Sequence, residues 1–133
     1  MSCLFNSMAA LLADRPRLLR ESRFEELRDL PRPPSGRDLR AAVCALLRRR
    51  ELRVHDVGLD EWGAMEAGTQ SDAYVRIMRD EGTWGGGVEI AALAAALRVP
   101  IEVEGAARAT FGEAYARRPL RLHYTGSHYT PRP

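Results

Sequence analysis

Lysine is absent from this chain: all 20 of its basic residues are arginine. A GC-rich coding sequence, which favours Arg, Ala, Gly and Pro codons together, is one cause. Cysteine is scarce. Cys3 and Cys44 are the only two and no CxxC occurs, which argues against a disulfide framework or a zinc ligand set and fits a reducing compartment. Long apolar runs are missing too. No stretch approaches the roughly 20 residues that span a bilayer, and the N-terminal run lacks the basic flank of a signal peptide, so no membrane role is expected. Net charge is only +2, and the arginines alternate with acids, as in Arg20-Glu21 and Arg28-Asp29. That is a solvated face rather than a stripe tracking phosphates. Arg48 to Arg50 form the one compact basic patch, at a helix C-terminus where cations are favoured anyway, so nucleic acid is not an expected partner. Gly85 to Gly87 lack the Gly-Lys-Ser/Thr of a phosphate loop.

What is present suffices for one domain over residues 1–133, since 133 residues with 45% hydrophobic content can bury a core without staples. Leu4, Phe5, Met8, Leu11 and Leu12 recur at helical spacing behind Ser2, a good N-cap. Arg15 to Leu30 reads as charged and partly helical, ended by Pro31-Arg32-Pro33-Pro34. Ser35 or Asp38 caps a helix to about Arg49 with Leu39, Val43, Leu46 and Leu47 inward and Cys44 beside them. Glu51 to Thr69, with Trp62 and Met65, reads as a loop with a short helix. Ser71-Asp72 caps a helix to Arg79 with Tyr74, Ile77 and Met78 inward. After a turn at Gly82 to Gly87, a small-residue helix runs from Val88 to Leu97. Ile101 to Glu104 and Leu120 to Tyr124 alternate as strands, with a short strand or turn around Phe111. Helices first and strands later predict an α+β fold.

Cys3 and His128 stand at opposite ends of this pattern. A thiol in the first turn of a helix lies where free backbone N–H groups and the positive end of the dipole favour thiolate, and a distant imidazole supplies the base of a cysteine nucleophile. A lone cysteine on an apolar helix is also an ordinary buried hydrophobe. His-Tyr-Thr occurs twice, at 123–125 and 128–130. If Leu120, Leu122 and Tyr124 face the core, His123 points to the other face, whereas His128 emerges past the turn at Gly126-Ser127. His55 matches no catalytic pattern.

Three segments taken in order carry a resemblance. Ser2-Cys3-Leu4-Phe5 resembles the nucleophile motif of the OTU (ovarian tumour) cysteine proteases, in which Asp-Gly-x-Cys-Leu-Phe opens the central helix. Tyr74 to Met78, then Gly82-Thr83-Trp84-Gly85-Gly86-Gly87-Val88-Glu89-Ile90 and Val99 to Val103, resembles that family's middle block. Leu120 to Tyr124 with His128-Tyr129 resembles its closing strand and histidine. The resemblance spans nearly the whole chain. It implies a papain-like OTU fold, a small twisted sheet packed between helices, and a thiol-dependent deubiquitinase that needs neither metal nor organic cofactor.

By that resemblance Cys3 is the nucleophile, His128 the general base, and Thr130 stands where the family usually has Asp or Asn. Trp84, Gly85, Ser2 and Tyr129 would contact substrate, although a Trp beside three glycines also fits a core anchor. The implied partners are conjugates of ubiquitin or a ubiquitin-like protein, acted on by a monomer. Two departures stand out. Threonine carries no charge to steady an imidazolium. The family's Asp, three residues before the nucleophile, has no counterpart after Met1, so either the natural chain extends further or the Cys3 and Ser2 amides form the oxyanion hole alone. Losing one such donor typically costs on the order of 100- to 1000-fold in turnover. These departures leave a second expectation, a weakened domain that binds ubiquitin without efficient cleavage. A lysine-free surface suits a protein working beside ubiquitin ligases. A compact, solitary OTU domain would suit a viral or bacterial effector acting on host ubiquitin, and the expected location is the cytoplasm, that of the host for an effector.

Overall fold

The computed structural model describes residues 3–49, 52–54, 57–58, 71–80 and 82–133. Ser2, His55, Trp62 and Met65 lie outside them, so the expectations placed on those residues are not taken further.

Helix α1 spans Cys3–Ala13 and buries Leu4, Phe5, Ser7, Met8, Leu11 and Leu12, the 3.6-residue stripe expected from the sequence. Two short helices follow, α2 (Pro16–Arg20) and α3 (Glu25–Arg28), the first opened by a proline at a position where a missing N–H is harmless. Ser35 Oγ accepts the Asp38 amide at 3.0 Å and so caps α4 (Gly36–Leu46), which settles the choice between Ser35 and Asp38. Helix α4 stops three residues before Arg49, whose guanidinium turns back to grip Glu26 on α3 through two bonds of 2.6 and 3.0 Å.

That fork holds the Glu26 carboxyl below its ordinary value of 4.5, the Arg49 hydrogen bond outweighing the opposing effect of desolvation. A carboxylate depressed in the folded state stabilises above its unfolded pKa and stops doing so as pH falls through the folded one. Glu26→Gln is therefore expected to lower stability by about 1 kcal/mol at pH 7. In urea melts the gap to wild type should narrow as pH falls below the ordinary value of 4.5; a gap that does not change with pH would show that the pair contributes no charge term.

The segment expected as a loop with a short helix contains, among its described residues, a small antiparallel pair, β1 (Arg53–Val54) and β2 (Val57–Gly58). Helix α5 spans Ser71–Met78. Its inward side chains are Val75 and Met78, with Tyr74 at the core edge, and Ile77 is 55% exposed, contrary to the inward position expected of it. At 100° per residue Ile77 lies about 200° round from Val75, on the outer face.

Helix α6 (Gly87–Leu97) is buried on nearly all sides, its Ala91, Ala92, Ala94 and Ala96 allowing close approach of neighbours. Arg98 in the left-handed region ends it and Pro100 leads into the sheet. The sheet order is β4-β3-β5-β6, with β3 Ile101–Gly105, β4 Ala109–Phe111, β5 Leu120–Tyr124 and β6 Tyr129–Arg132. Strands β3 and β5 run parallel, Ile101 beside Leu120 and Val103 beside Leu122, and these four face the helices. The opposite face is polar, with ion pairs from Arg121 to Glu102 and Arg132 to Glu104, each at 3.1 Å. Strand β6 is absent from the sequence expectations because Tyr-Thr-Pro-Arg lacks an apolar alternation.

Candidate active site

Cys3 is the first residue of α1 and is partly exposed. The apolar stripe behind it buries Leu4 and Phe5 and thereby fixes where the first turn stands. Cys44 has the opposite setting. It is 1% exposed on α4, and burial, reinforced by the charge of Glu89, pushes its thiol up to about 11. At neutral pH it is a protonated, enclosed thiol, which leaves Cys3 as the accessible one.

The histidine arrives on a tight turn. Tyr124 ends β5, Gly126 takes φ +106, a backbone region that suits glycine, and Thr125 Oγ1 accepts the His128 amide at 3.0 Å. Tyr129 then opens β6 opposite Tyr124, their rings 4.7 Å apart. Strand β6 is tied to the nucleophile helix by Ser7, one turn after Cys3, whose hydroxyl donates to the Tyr129 carbonyl at 3.0 Å. His128 is thus held beside the first turns of α1 by a bond between its neighbour and a buried serine.

The third wall is the Trp84-Gly85 turn. Trp84 is 44% exposed and so is not a core anchor; its ring stands against His128, centroids 5.4 Å apart and planes tilted by 53°. Gly85 lies directly on α1. A methyl group there would come within 2.7 Å of Leu4 Cδ2 and 3.1 Å of Phe5 Cε2, so glycine is what allows the turn to approach the helix. The turn runs into α6, where buried Glu89 accepts the Gly86 amide at 2.7 Å and the Tyr74 hydroxyl, a reach-back that fixes the helix start.

The structure therefore brings together the segments carrying Cys3, Trp84-Gly85 and His128-Tyr129. Tyr129 packs its ring against the core edge beside Tyr124. Thr130 is exposed on the polar face across from His123, and among the described residues no hydrogen bond joins its hydroxyl to the His128 ring. His123 sits on β5 over Gly105, whose φ of +115 leaves room for the ring: a Cβ there would meet His123 Cε1 at 2.8 Å. Among the described residues its buried Nδ1 has no hydrogen-bond partner. Sequence reasoning missed Ser7, Arg40 and the Glu89 reach-back. Only the last left a signal, a Gly-x-x-Glu spacing at the head of an apolar helix. Among the described residues, no group of three or more His, Cys, Asp and Glu is arranged to hold a metal ion.

A family model of OTU-like cysteine proteases matches residues 2–131, almost the entire chain. The chain belongs to the OTU-like cysteine protease family. Its OTU fold is also that of solved structures. One is an ovarian tumour domain in complex with ubiquitin, at TM-score 0.67 and 20% identity, over 98% of this chain and 62% of that one. Another is the viral OTU domain protease of Dera Ghazi Khan virus, at TM-score 0.64 and 22% identity, over 98% of this chain and 72% of that one. The chain thus spans less than two thirds of the length of the ubiquitin-bound OTU domain. A comparison with curated proteins returns no match.

Proposed function

We propose that this OTU domain is a thiol-dependent deubiquitinase that hydrolyses isopeptide bonds to ubiquitin or a ubiquitin-like modifier. The observation that carries the reading is the meeting of three segments distant in sequence: Cys3 at the head of α1, the Trp84 ring against His128, and Gly85 seated on Leu4 and Phe5. The ubiquitin bound in one solved OTU structure supports the choice of modifier.

In this mechanism His128 takes the Cys3 proton as Sγ attacks the isopeptide carbonyl carbon. The developing oxyanion is met by the Cys3 backbone N–H at the positive end of α1. The tetrahedral intermediate collapses to a thioester as the C–N bond breaks, and His128 returns its proton to the departing lysine amine. Water, deprotonated by His128, then attacks the thioester, releasing the ubiquitin carboxylate and the Cys3 thiol. The half-exposed Trp84 offers an apolar wall to an extended tail approaching that carbonyl. On cysteine usage the proposed setting is a reducing compartment such as the cytoplasm. The deciding experiment is ubiquitin carrying a C-terminal propargyl group: covalent labelling that disappears in Cys3→Ala supports the enzyme, and absence of labelling in the wild type overturns it.

A second reading, a domain that binds ubiquitin with little cleavage, is favoured by one observation, the uncharged Thr130 two residues after His128, whose hydroxyl among the described residues makes no hydrogen bond to that ring. If that position is the orienting site left weak, Thr130→Asp supplies the missing carboxylate. It is then expected to raise initial rates on a ubiquitin-linked fluorophore about tenfold, the equivalent of roughly 1.4 kcal/mol in the transition state. Thr130→Val, which removes a hydroxyl that bonds nothing on the ring, should change the rate by less than about threefold. Identical rates in all three proteins would show that position 130 does not act on the histidine.

A further inference from the structure

Arg40 is 2% exposed on α4, an unusual depth for a guanidinium, and the sequence pattern gave it no role. Its surroundings are specific. Nη1 donates to the Met78 carbonyl at the end of α5 at 2.8 Å and Nη2 donates to the Thr83 carbonyl at 2.8 Å, one residue before Trp84. The flat face of the group lies 4.5 Å from the centre of the Phe5 ring, two residues after Cys3, and Phe5 is in turn one of the two side chains on which Gly85 rests. One planar fork therefore grips both ends of the link between α5 and the Trp84 turn while stacking on the nucleophile helix.

We infer that Arg40 is a positioning residue for the reaction: it sets the Trp84-Gly85 turn, and through the Trp84 ring the His128 imidazole, at a fixed distance from the Cys3 thiol. The inference rests on the Cys3 and His128 reading above and adds to it the part that holds the two halves in register. Arginine suits the task because two diverging carbonyls and an aromatic face must be served at once. A lysine ammonium is a point donor on a flexible stem and meets one of the three demands well. The geometric tolerance of such a site is small, since a misplacement of about 1 Å can cost on the order of 100-fold in rate.

The test compares wild type with Arg40→Lys and Arg40→Met, the second keeping the stem while removing the charge. Folding is checked by thermal melts. Two readouts follow on the folded protein: kcat and KM on a ubiquitin-linked fluorophore, and the rate at which iodoacetamide alkylates Cys3 at pH 7, mapped by mass spectrometry to exclude Cys44. The expected result is a fall in kcat of at least about tenfold with KM within about twofold, and Cys3 alkylation slowed toward the rate of His128→Ala. A purely structural Arg40 would lower the melting temperature and leave both rates of the folded protein unchanged, and that result overturns the inference. Should neither variant fold, Phe5→Leu keeps an apolar helix face but removes the ring under the guanidinium. It is expected to lower kcat at least about threefold with KM unchanged, and an unchanged kcat would again overturn the inference. The underlying reading fails separately. If His128→Ala leaves wild-type alkylation of Cys3 unaltered, thiol and imidazole are not coupled, and the positioning role falls with them. If alkylation shows coupling but the propargyl ubiquitin does not label, the substrate is wrong and the Arg40 inference is decided on alkylation alone.

Discussion

Cys3→Ala is expected to remove cleavage of a ubiquitin-linked fluorophore, with kcat lowered on the order of 10⁴-fold or more, since in the proposed mechanism Cys3 carries the acyl intermediate. The same change should shift stability by less than about 1 kcal/mol, because Cys3 is a partly exposed first-turn residue and alanine is a good helix former. Cys44→Ala should behave in the opposite way. The residue is enclosed between helices with a thiol pushed up to about 11, so its loss leaves a small cavity and lowers the melting temperature while the folded protein keeps its rate. Steady-state rates and thermal melts on the two variants separate these outcomes. Loss of turnover in Cys44→Ala with an unchanged melt would remove Cys3 as the sole nucleophile.

His128→Ala is expected to cost at least about 10³-fold in kcat/KM, as in the proposed mechanism both proton transfers pass through that ring. His123→Ala should cost less than about threefold in rate, because its ring lies over Gly105 in the sheet and the Trp84 ring stands against His128 instead. It should still lower the melting temperature, since the space that Gly105 leaves for the imidazole would be emptied. The reverse order of effects would assign the base to His123, the other copy of the His-Tyr-Thr tripeptide.

Much of this architecture was legible in the order of residues, for reasons that differ by element. The first helix announced itself because its apolar positions repeat at 3.6 residues, and β3 and β5 because theirs repeat at two. The resemblance of three ordered motifs led to the family that the family model shows. Ile77 was misplaced because hydrophobicity says that a residue prefers burial, whereas helix geometry had already assigned the inner face to Val75 and Met78. Strand β6 was invisible because an edge strand is defined by its neighbour's backbone, and nothing in Tyr-Thr-Pro-Arg signals that β5 lies alongside. Arg40 was hidden for a related reason. A charged residue on an amphipathic helix reads as surface until the carbonyls that receive it, 38 and 43 positions away, are known. Local patterns reveal which face a residue prefers, and they are silent about partners supplied by distant backbone.

The bond from Ser7 to the Tyr129 carbonyl spans 122 positions and holds a short strand at the sheet's margin. Closing so distant a contact is entropically slow compared with forming the helices. During synthesis Cys3 is made long before His128, so on the proposed mechanism a growing chain carries the thiol without its base until β6 docks. In the finished molecule the same seam sets where His128 stands relative to the first helix. If β6 lifts from β5, His128 is carried away from the Trp84 ring and from the helix head where the proposed mechanism needs it. On the proposed mechanism, turnover would then report the engagement of four residues at one edge of the sheet.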